Sequence, residues 1–227
     1  MKKIIFTIAF VFLSLNIQAE ERFITTSDGV KLYVNVKGSG TPCLYIHGGP
    51  GSGSYWMEKF FGEFLEFKFT MVYLDQRGVG RSSGDPDEDY SLERMSLDFE
   101  EIREALGYDS WLTLGHSFGG VLQMGYVEKY PEAIKGMIMV NCTLKMAESF
   151  CDSWSPKASE FTGVIDNTPC DSREDITLKL GNHIKNLREK DLFWKMGYIL
   201  KENEKIMDAS YHEIQNWNGS FGHIVFD

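Results

Sequence analysis

The stretch Trp111-Leu112-Thr113-Leu114-Gly115-His116-Ser117-Phe118-Gly119-Gly120-Val121 decides how the rest of the chain is read. Its first four residues form an apolar, strand-like run. Residues 121–130 have a helical pattern, and Pro131 closes it. Between the two lies Gly115-x-Ser117-x-Gly119. A strand that becomes a helix within so few residues forces close backbone contacts, and glycine at 115 and 119 removes the side chains that would clash. Ser117 is then pushed out from the C-terminal edge of a sheet, the setting of a nucleophile elbow. A plain glycine-rich turn is the rival reading of the same residues.

Working outward, four short apolar runs at 43–46, 71–74, 111–114 and 136–140 do not alternate, so they read as strands buried on both faces. Helical stretches separate them. The clearest has Leu92, Met95, Phe99, Ile102 and Leu106 three and four apart, with Ser91 as N-cap and Gly107 as stop. Strand–helix–strand repetition implies βαβ units and a parallel sheet. Ahead of it, runs at 23–26 and 31–36 flank the turn Ser27-Asp28-Gly29, a hairpin signal. The second run alternates like a half-exposed antiparallel edge. From about Leu144 the strand signal fades, and 176–217 has helix-like spacing of Lys, Glu, Leu and Ile. The expected organisation is a leader over 1–19, the N-terminal part of an α/β core over 20–142, and an incomplete helical cap over 143–227.

His47-Gly48-Gly49-Pro50-Gly51 ends the run at 43–46. In an elbow enzyme such a loop gives one backbone N–H to an oxyanion hole, and the residue after the nucleophile gives the other. These are Gly49 or Gly48, and Phe118. Pro50 has no N–H and only shapes the loop. His47 reads as a brace for the loop. Gly49-x-Gly51-x-Gly53 with Asp75 is also a loose dinucleotide fingerprint, but its final glycine falls one position early. Asp75-Gln76-Arg77-Gly78-Val79-Gly80-Arg81-Ser82 follows the run at 71–74. It reads as an ion-paired loop bracing the site, with Arg77 and Arg81 tethered to carboxylates.

These three motifs, in this order and spacing, resemble the proline iminopeptidase (prolyl aminopeptidase) family of α/β-hydrolases over residues 24–142. The third departs from the family pattern, which has Trp after the serine and Gly before it. Phe118 and His116 are commoner in esterase-like relatives, so a carboxylesterase reading stands beside the peptidase one. The resemblance implies the α/β-hydrolase fold and a serine hydrolase working through an acyl-enzyme on Ser117, with no metal and no cofactor. The bond cleaved would be the amide after an N-terminal proline in a small or short-peptide substrate. Acidic cap residues would bind the free amine, and Glu202, Glu204 and Glu213 lie in that segment. The fold's triad runs Ser, Asp, His along the chain, the last two after further strands. No such strands are legible before Asp227. His183 and His212 lie in helical cap sequence, which leaves His223 as the remaining candidate base. The expectation is a C-terminally truncated chain that lacks the triad Asp and His. The chain is a fragment of an active hydrolase, a truncated non-enzyme (a degraded product or a binding protein that keeps the pocket), or a complete enzyme with an unusual triad using His223, and in a truncated chain 136–140 is left as a bare apolar edge.

The bulk numbers agree with a folded domain and narrow its partners. In 227 residues, 43% hydrophobic and 14% aromatic content supply a sizeable core. A formal charge of −10 argues against nucleic acid as a partner, which needs Lys and Arg stripes that the sequence does not show. Lys2 and Lys3 precede an apolar run at 4–15, and Ala19 offers a cleavage point, the pattern of a signal peptide. The expected location is therefore periplasmic or extracellular, with no membrane contact after cleavage. Cys43 and Cys142 sit in or after apolar strands. Cys151 and Cys170 lie in polar, loop-like sequence and could pair.

Overall fold

The computed structural model describes residues 20–223. The expected leader at 1–19 and residues 224–227 lie outside the described residues. Six strands, β1 (Glu20–Thr25), β2 (Lys31–Lys37), β3 (Thr41–Ile46), β4 (Phe69–Leu74), β5 (Trp111–His116) and β6 (Ile134–Val140), form one sheet in the order β1-β2-β4-β3-β5-β6. The β1–β2 hairpin is antiparallel and joins β4 antiparallel, while β4, β3, β5 and β6 run parallel. Helices α1 (Tyr55–Glu66), α2 (Leu92–Ala105) and α3 (Gly119–Lys129) make the crossovers.

The continuous apolar runs are explained by two cores, one on each face. Along β3, Leu44 and Ile46 point to α2 and α3, while Cys43 and Tyr45 point to α1; along β4, Val72 and Leu74 face the first core, Met71 and Tyr73 the second. Each fully buried aliphatic side chain contributes about 1.5–3 kcal/mol. Helix α2 starts where its cap signal sits, with the Ser91 hydroxyl accepting from Arg94 N–H, and stops at Gly107 in the left-handed region (φ +72°).

Three expectations are corrected. The second strand of the hairpin is not a half-exposed edge: β2 lies between β1 and β4, and Leu32 to Asn35 are all buried. Tyr33 and Asn35, the alternate residues expected outside, are covered by Arg81, which stacks 3.6 Å from the Tyr33 ring, and by Glu58, which accepts from Asn35 Nδ2. Of the two expectations for the strand at 136–140, burial on both faces is overturned and the apolar edge is what the described strands show. As β6 it ends the sheet of described strands, and Met139 and Val140 are each 41% exposed. The region around Cys151 is not a loop. It is a π turn (Ser149–Trp154) between α4 (Met146–Glu148) and α5 (Ser155–Thr162), and Pro156 is accommodated in the first turn of α5, where it has no N–H to lose.

The cap continues through α6 (Arg173–Glu189), a 3-10 turn (Phe193–Met196) and α7 (Lys201–Tyr211). Cys151 and Cys170 form a disulfide with Cα atoms 6.4 Å apart. After α7 the chain leaves the cap and returns to the core. Asn218 and Gly80 exchange backbone hydrogen bonds (2.9 and 2.8 Å), and Phe221 is buried, stacked on Tyr90 at 5.1 Å.

The disulfide closes a loop of about 20 residues, so C151S/C170S should lose about 3 kcal/mol of local stability. Hydrogen exchange checks this. Amides of α5 and α6 should exchange faster while those of β3, β4 and β5 stay as protected as before.

Candidate active site

Parallel strands β3 and β5 are neighbours, with Ile46 opposite Gly115, but β4 lies on the far side of β3. The chain direction therefore reverses at β3, and a crevice opens beyond the carboxyl ends of β3 and β5. The loop 47–53 and Ser117 meet there.

Ser117 is the residue between β5 and α3, with φ +52°, a left-handed backbone that a non-glycine residue adopts only at a cost. Packing holds it there. A Cβ on Gly119 would stand 2.2 Å from Ile46 O, and one on Gly115 2.3 Å from Gln123 Oε1. A Cβ on Gly48 would stand 2.7 Å from both Ser117 Cβ and His116 O. Hydrogen bonds fasten the turn: Ser117 N–H to Val140 O (3.3 Å), and Gly120 N–H and Thr143 N–H to Ser117 O (3.0 and 2.9 Å). Neither Phe118 N–H nor Gly49 N–H is among the donors of this network. Ser117 is half-buried, within reach of solvent.

His47 is fully buried and braces the loop. Its Nε2 accepts from Gln76 N–H (3.1 Å), so the proton sits on Nδ1, which donates to Gly48 O (3.0 Å). Burial pushes its pKa down to about 4, against the help of the Gly48 carbonyl and Asp75. With both nitrogens used, His47 is a neutral strut.

The loop after β4 is ion-paired. Asp75 Oδ1 accepts from Ser54 N–H (2.8 Å) and Ser54 Oγ–H (2.7 Å), and Oδ2 from Arg81 Nε (2.7 Å) and Arg81 N–H (3.0 Å). Burial alone would raise the Asp75 pKa; the Arg81 guanidinium and the Ser54 donors outweigh it and hold the carboxyl below its usual value. Arg77, fully buried, grips Asp98 with Nε (2.7 Å) and Nη2 (2.8 Å) and reaches Asp28 and Asp89 O. This is the bracing role read from the motif. Ser54 as the loop-to-loop donor was not legible, since a lone serine carries no signal.

A cleft of about 420 Å³ opens beside the 47–53 loop, lined by Pro50, Gly51, Ser52, Tyr211, His212 and Trp217. Tyr211 and Trp217 pack edge to face at 5.3 Å. A polar recess of about 330 Å³ between Val164 and Glu189 belongs to the cap, and no elbow residue lines it.

The other sequence candidates are dispersed. Glu213 accepts from Tyr55 OH (2.6 Å) and from Lys59, whose ammonium lowers its pKa. Glu202 and Glu204 sit in the first turn of α7, the end away from the cleft. His183 is buried in the cap with Nε2 2.7 Å from Ser155 Oγ. His116 packs on Trp56 at 5.1 Å. His212 lines the cleft, which its helical sequence context did not suggest. His223 ends the 3-10 turn Ser220–His223, and its side chain lies outside the described residues. Among the described residues no His, Cys, Asp and Glu group is arranged to hold a metal ion.

A family model described as the alpha/beta hydrolase fold matches residues 41–181. The chain is similar to the proline iminopeptidase of Neisseria gonorrhoeae, 38% identical over 101 residues, covering 44% of this chain and 32% of that protein. It is similar to the proline iminopeptidase of Saccharolobus solfataricus, 36% identical over 111 residues, covering 48% and 35%. The matched part thus spans about a third of the length of these relatives. In solved structures, a proline iminopeptidase-related protein from Thermus thermophilus shares the fold with TM-score 0.71 and 24% identity, covering 90% of this chain and 70% of that one. An epoxide hydrolase from Bacillus megaterium does so with TM-score 0.54, 22% identity and coverage of 88% and 70%.

The close approach at the elbow can be measured. G119A should cost about 3 kcal/mol or more, because its Cβ meets a backbone carbonyl that cannot move aside. G181A, in the middle of α6 with open space around it, should gain up to about 1 kcal/mol. Urea denaturation of the two variants measures the contrast. The depressed His47 pKa means that the unfolded chain binds a proton first as pH falls. Roughly 3 kcal/mol of stability should therefore drain away between pH 6.5 and pH 4. H47Q should flatten that slope in denaturation curves taken at pH 7 and pH 4.5.

Proposed function

This chain belongs to the alpha/beta hydrolase fold family, and on that premise we propose that it is the part of a serine hydrolase that carries the nucleophile. One observation carries the reading: Ser117 is held at φ +52° at the carboxyl edge of the sheet, against a glycine loop whose backbone almost touches it. Ser117 Oγ attacks a carbonyl carbon. The N–H groups of Phe118 and of Gly49 or Gly48 receive the oxyanion, the amine or alcohol leaves, and water releases the acyl group. Donors already fixed by the β3–β5 packing need no reorganisation as charge develops.

The substrate class we propose is a short peptide with an N-terminal proline. Similarity to proline iminopeptidases over 101 to 111 residues of the chain supports it. Glu213 is committed to Tyr55 and Lys59, so it supports α1 more than it supports recognition of an amine. For the base that takes the Ser117 proton, His47 and His183 are hydrogen-bonded elsewhere, and His116 is packed edge-on against Trp56 with its Nδ1 buried and unpaired. His223 is the candidate, with His212 at the cleft as its rival. We also place the protein outside the cytoplasm; the leader-like residues 1–19 and the Cys151–Cys170 bridge support that.

A fluorophosphonate probe should label the chain on Ser117, and S117A should abolish the label. Labelling that survives S117A refutes the nucleophile. Loss of label in H223A, with H212A unaffected, assigns the base, and the reverse result moves it to the cleft. Turnover of a proline arylamide should exceed that of a short-chain ester; a clear ester preference replaces the peptidase with a carboxylesterase.

A further inference from the structure

The loop between β3 and α1 has glycine at 48, 49, 51 and 53, and the last three lie in the left-handed region (φ +113°, +91° and +65°). Glycine brings no side chain that could pack, and it leaves the backbone freer than any other residue. Such a loop does not stiffen itself. Ser52 N–H (3.2 Å) and Ser52 Oγ–H (2.8 Å) both donate to Gly48 O, which closes a turn within the loop. The remaining support comes from contacts at its two ends.

At the first end Gly48 lies against Ser117, and its carbonyl also accepts from His47. At the other end a Cβ on Gly53 would stand 2.5 Å from Cη2 and 3.2 Å from Cζ2 of Trp217, and 3.4 Å from Asp75 Oδ1. The indole therefore rests on the Gly53 backbone, and Asp75 takes the neighbouring Ser54 N–H. Trp217 is itself well anchored. Tyr211 packs on its ring edge to face, Asn218 exchanges backbone hydrogen bonds with Gly80, and Asn218 Nδ2 donates to Ser82 O (3.1 Å) and Gly84 O (3.0 Å). Phe221 N–H donates to Gly78 O (3.0 Å), and its buried ring lies 6.1 Å from that of Phe118. The segment 217–221 thus touches both stretches that carry the N–H donors assigned to the oxyanion. It meets the 48–53 loop through Trp217 and the elbow through Phe221.

We infer that Trp217 is a positioning residue, whose ring holds the glycine loop against the elbow and sets where the Gly49 or Gly48 N–H points. The consequence for chemistry rests on the serine hydrolase proposed above; the consequence for the loop does not. With the indole in place the loop keeps one arrangement. Without it the glycines recover their conformational range. A donor displaced by about 1 Å can cost on the order of a hundredfold in rate.

Nitrogen-15 relaxation on the whole chain reads the loop directly. The amides of Gly48, Gly49 and Gly51 should be rigid, with order parameters of about 0.85, and should fall toward about 0.6 in W217A. W217F, which keeps a ring over Gly53, should restore them. Fluorophosphonate labelling reads the consequence. W217A should lower the limiting rate at saturating probe by about tenfold or more, with the probe concentration at half that rate changed by less than about threefold. C151S/C170S, which loosens the cap away from Trp217, should alter neither. Circular dichroism melting verifies the fold; should W217A melt early, N218A, which weakens the anchor and keeps the ring, must show the same losses in smaller degree. Loop amides that are equally rigid in W217A, or already mobile in the unsubstituted chain, overturn the proposal. Slower labelling with unchanged loop amides gives Trp217 a direct contact with substrate instead. If the unsubstituted chain takes no label while W217A loosens the loop, the positioning role stands and the serine hydrolase reading falls.

Discussion

Backbone meets backbone at the carboxyl ends of β3 and β5 with no room for a Cβ, and the candidate site is built around that contact. Gly119 lies under Ile46 O, Gly48 against Ser117, and Gly120 against Cys142 and Thr143 O. These approaches pin Ser117 in a backbone conformation it would otherwise leave. They also bring the 47–53 loop within reach of whatever Ser117 attacks. A looser contact would return the serine to an ordinary turn and separate the two donors.

Buried charge holds the surrounding loops in register with this contact. Asp75 ties Ser54, at the start of α1, to Arg81, six residues further along the chain than itself. Arg77 does the same between Asp98 on α2 and Asp28 in the hairpin turn. Each carboxylate is matched by guanidinium and N–H donors, which is what makes such burial tolerable, and removal of one partner would leave an uncompensated charge. His47 completes the set without charge, because its neutral ring satisfies one donor and one acceptor at once.

The cap reaches the core through Met207 of α7, which packs on the core beside α1, and through two polar and aromatic contacts. Glu213 binds Tyr55 and Lys59 on α1, and the tail from Trp217 to Phe221 lies along the 78–84 loop, where Asn218 Nδ2 donates to the carbonyls of Ser82 and Gly84. Phe221 then fills a core position beside Tyr90 and Phe118. The cleft is a product of this return: Tyr211, His212 and Trp217 form one wall and the 50–52 loop the other.

Local sequence determined what depends on local physics. Unalternating apolar runs marked β3, β4 and β5 because a parallel sheet buries both faces. Ser91 and Gly107 marked the ends of α2, and the glycines at 115 and 119 marked the elbow, since each satisfies a requirement set within a few residues. Tertiary structure alone decided what depends on distant neighbours. Burial of Tyr33 and Asn35 required Arg81 and Glu58, residues from 23 to 48 positions away. The helical state of Cys151, the return of Phe221 to the core and the place of His212 in the cleft all depend on where the cap packs, and pairwise packing across the chain leaves no local periodicity to read.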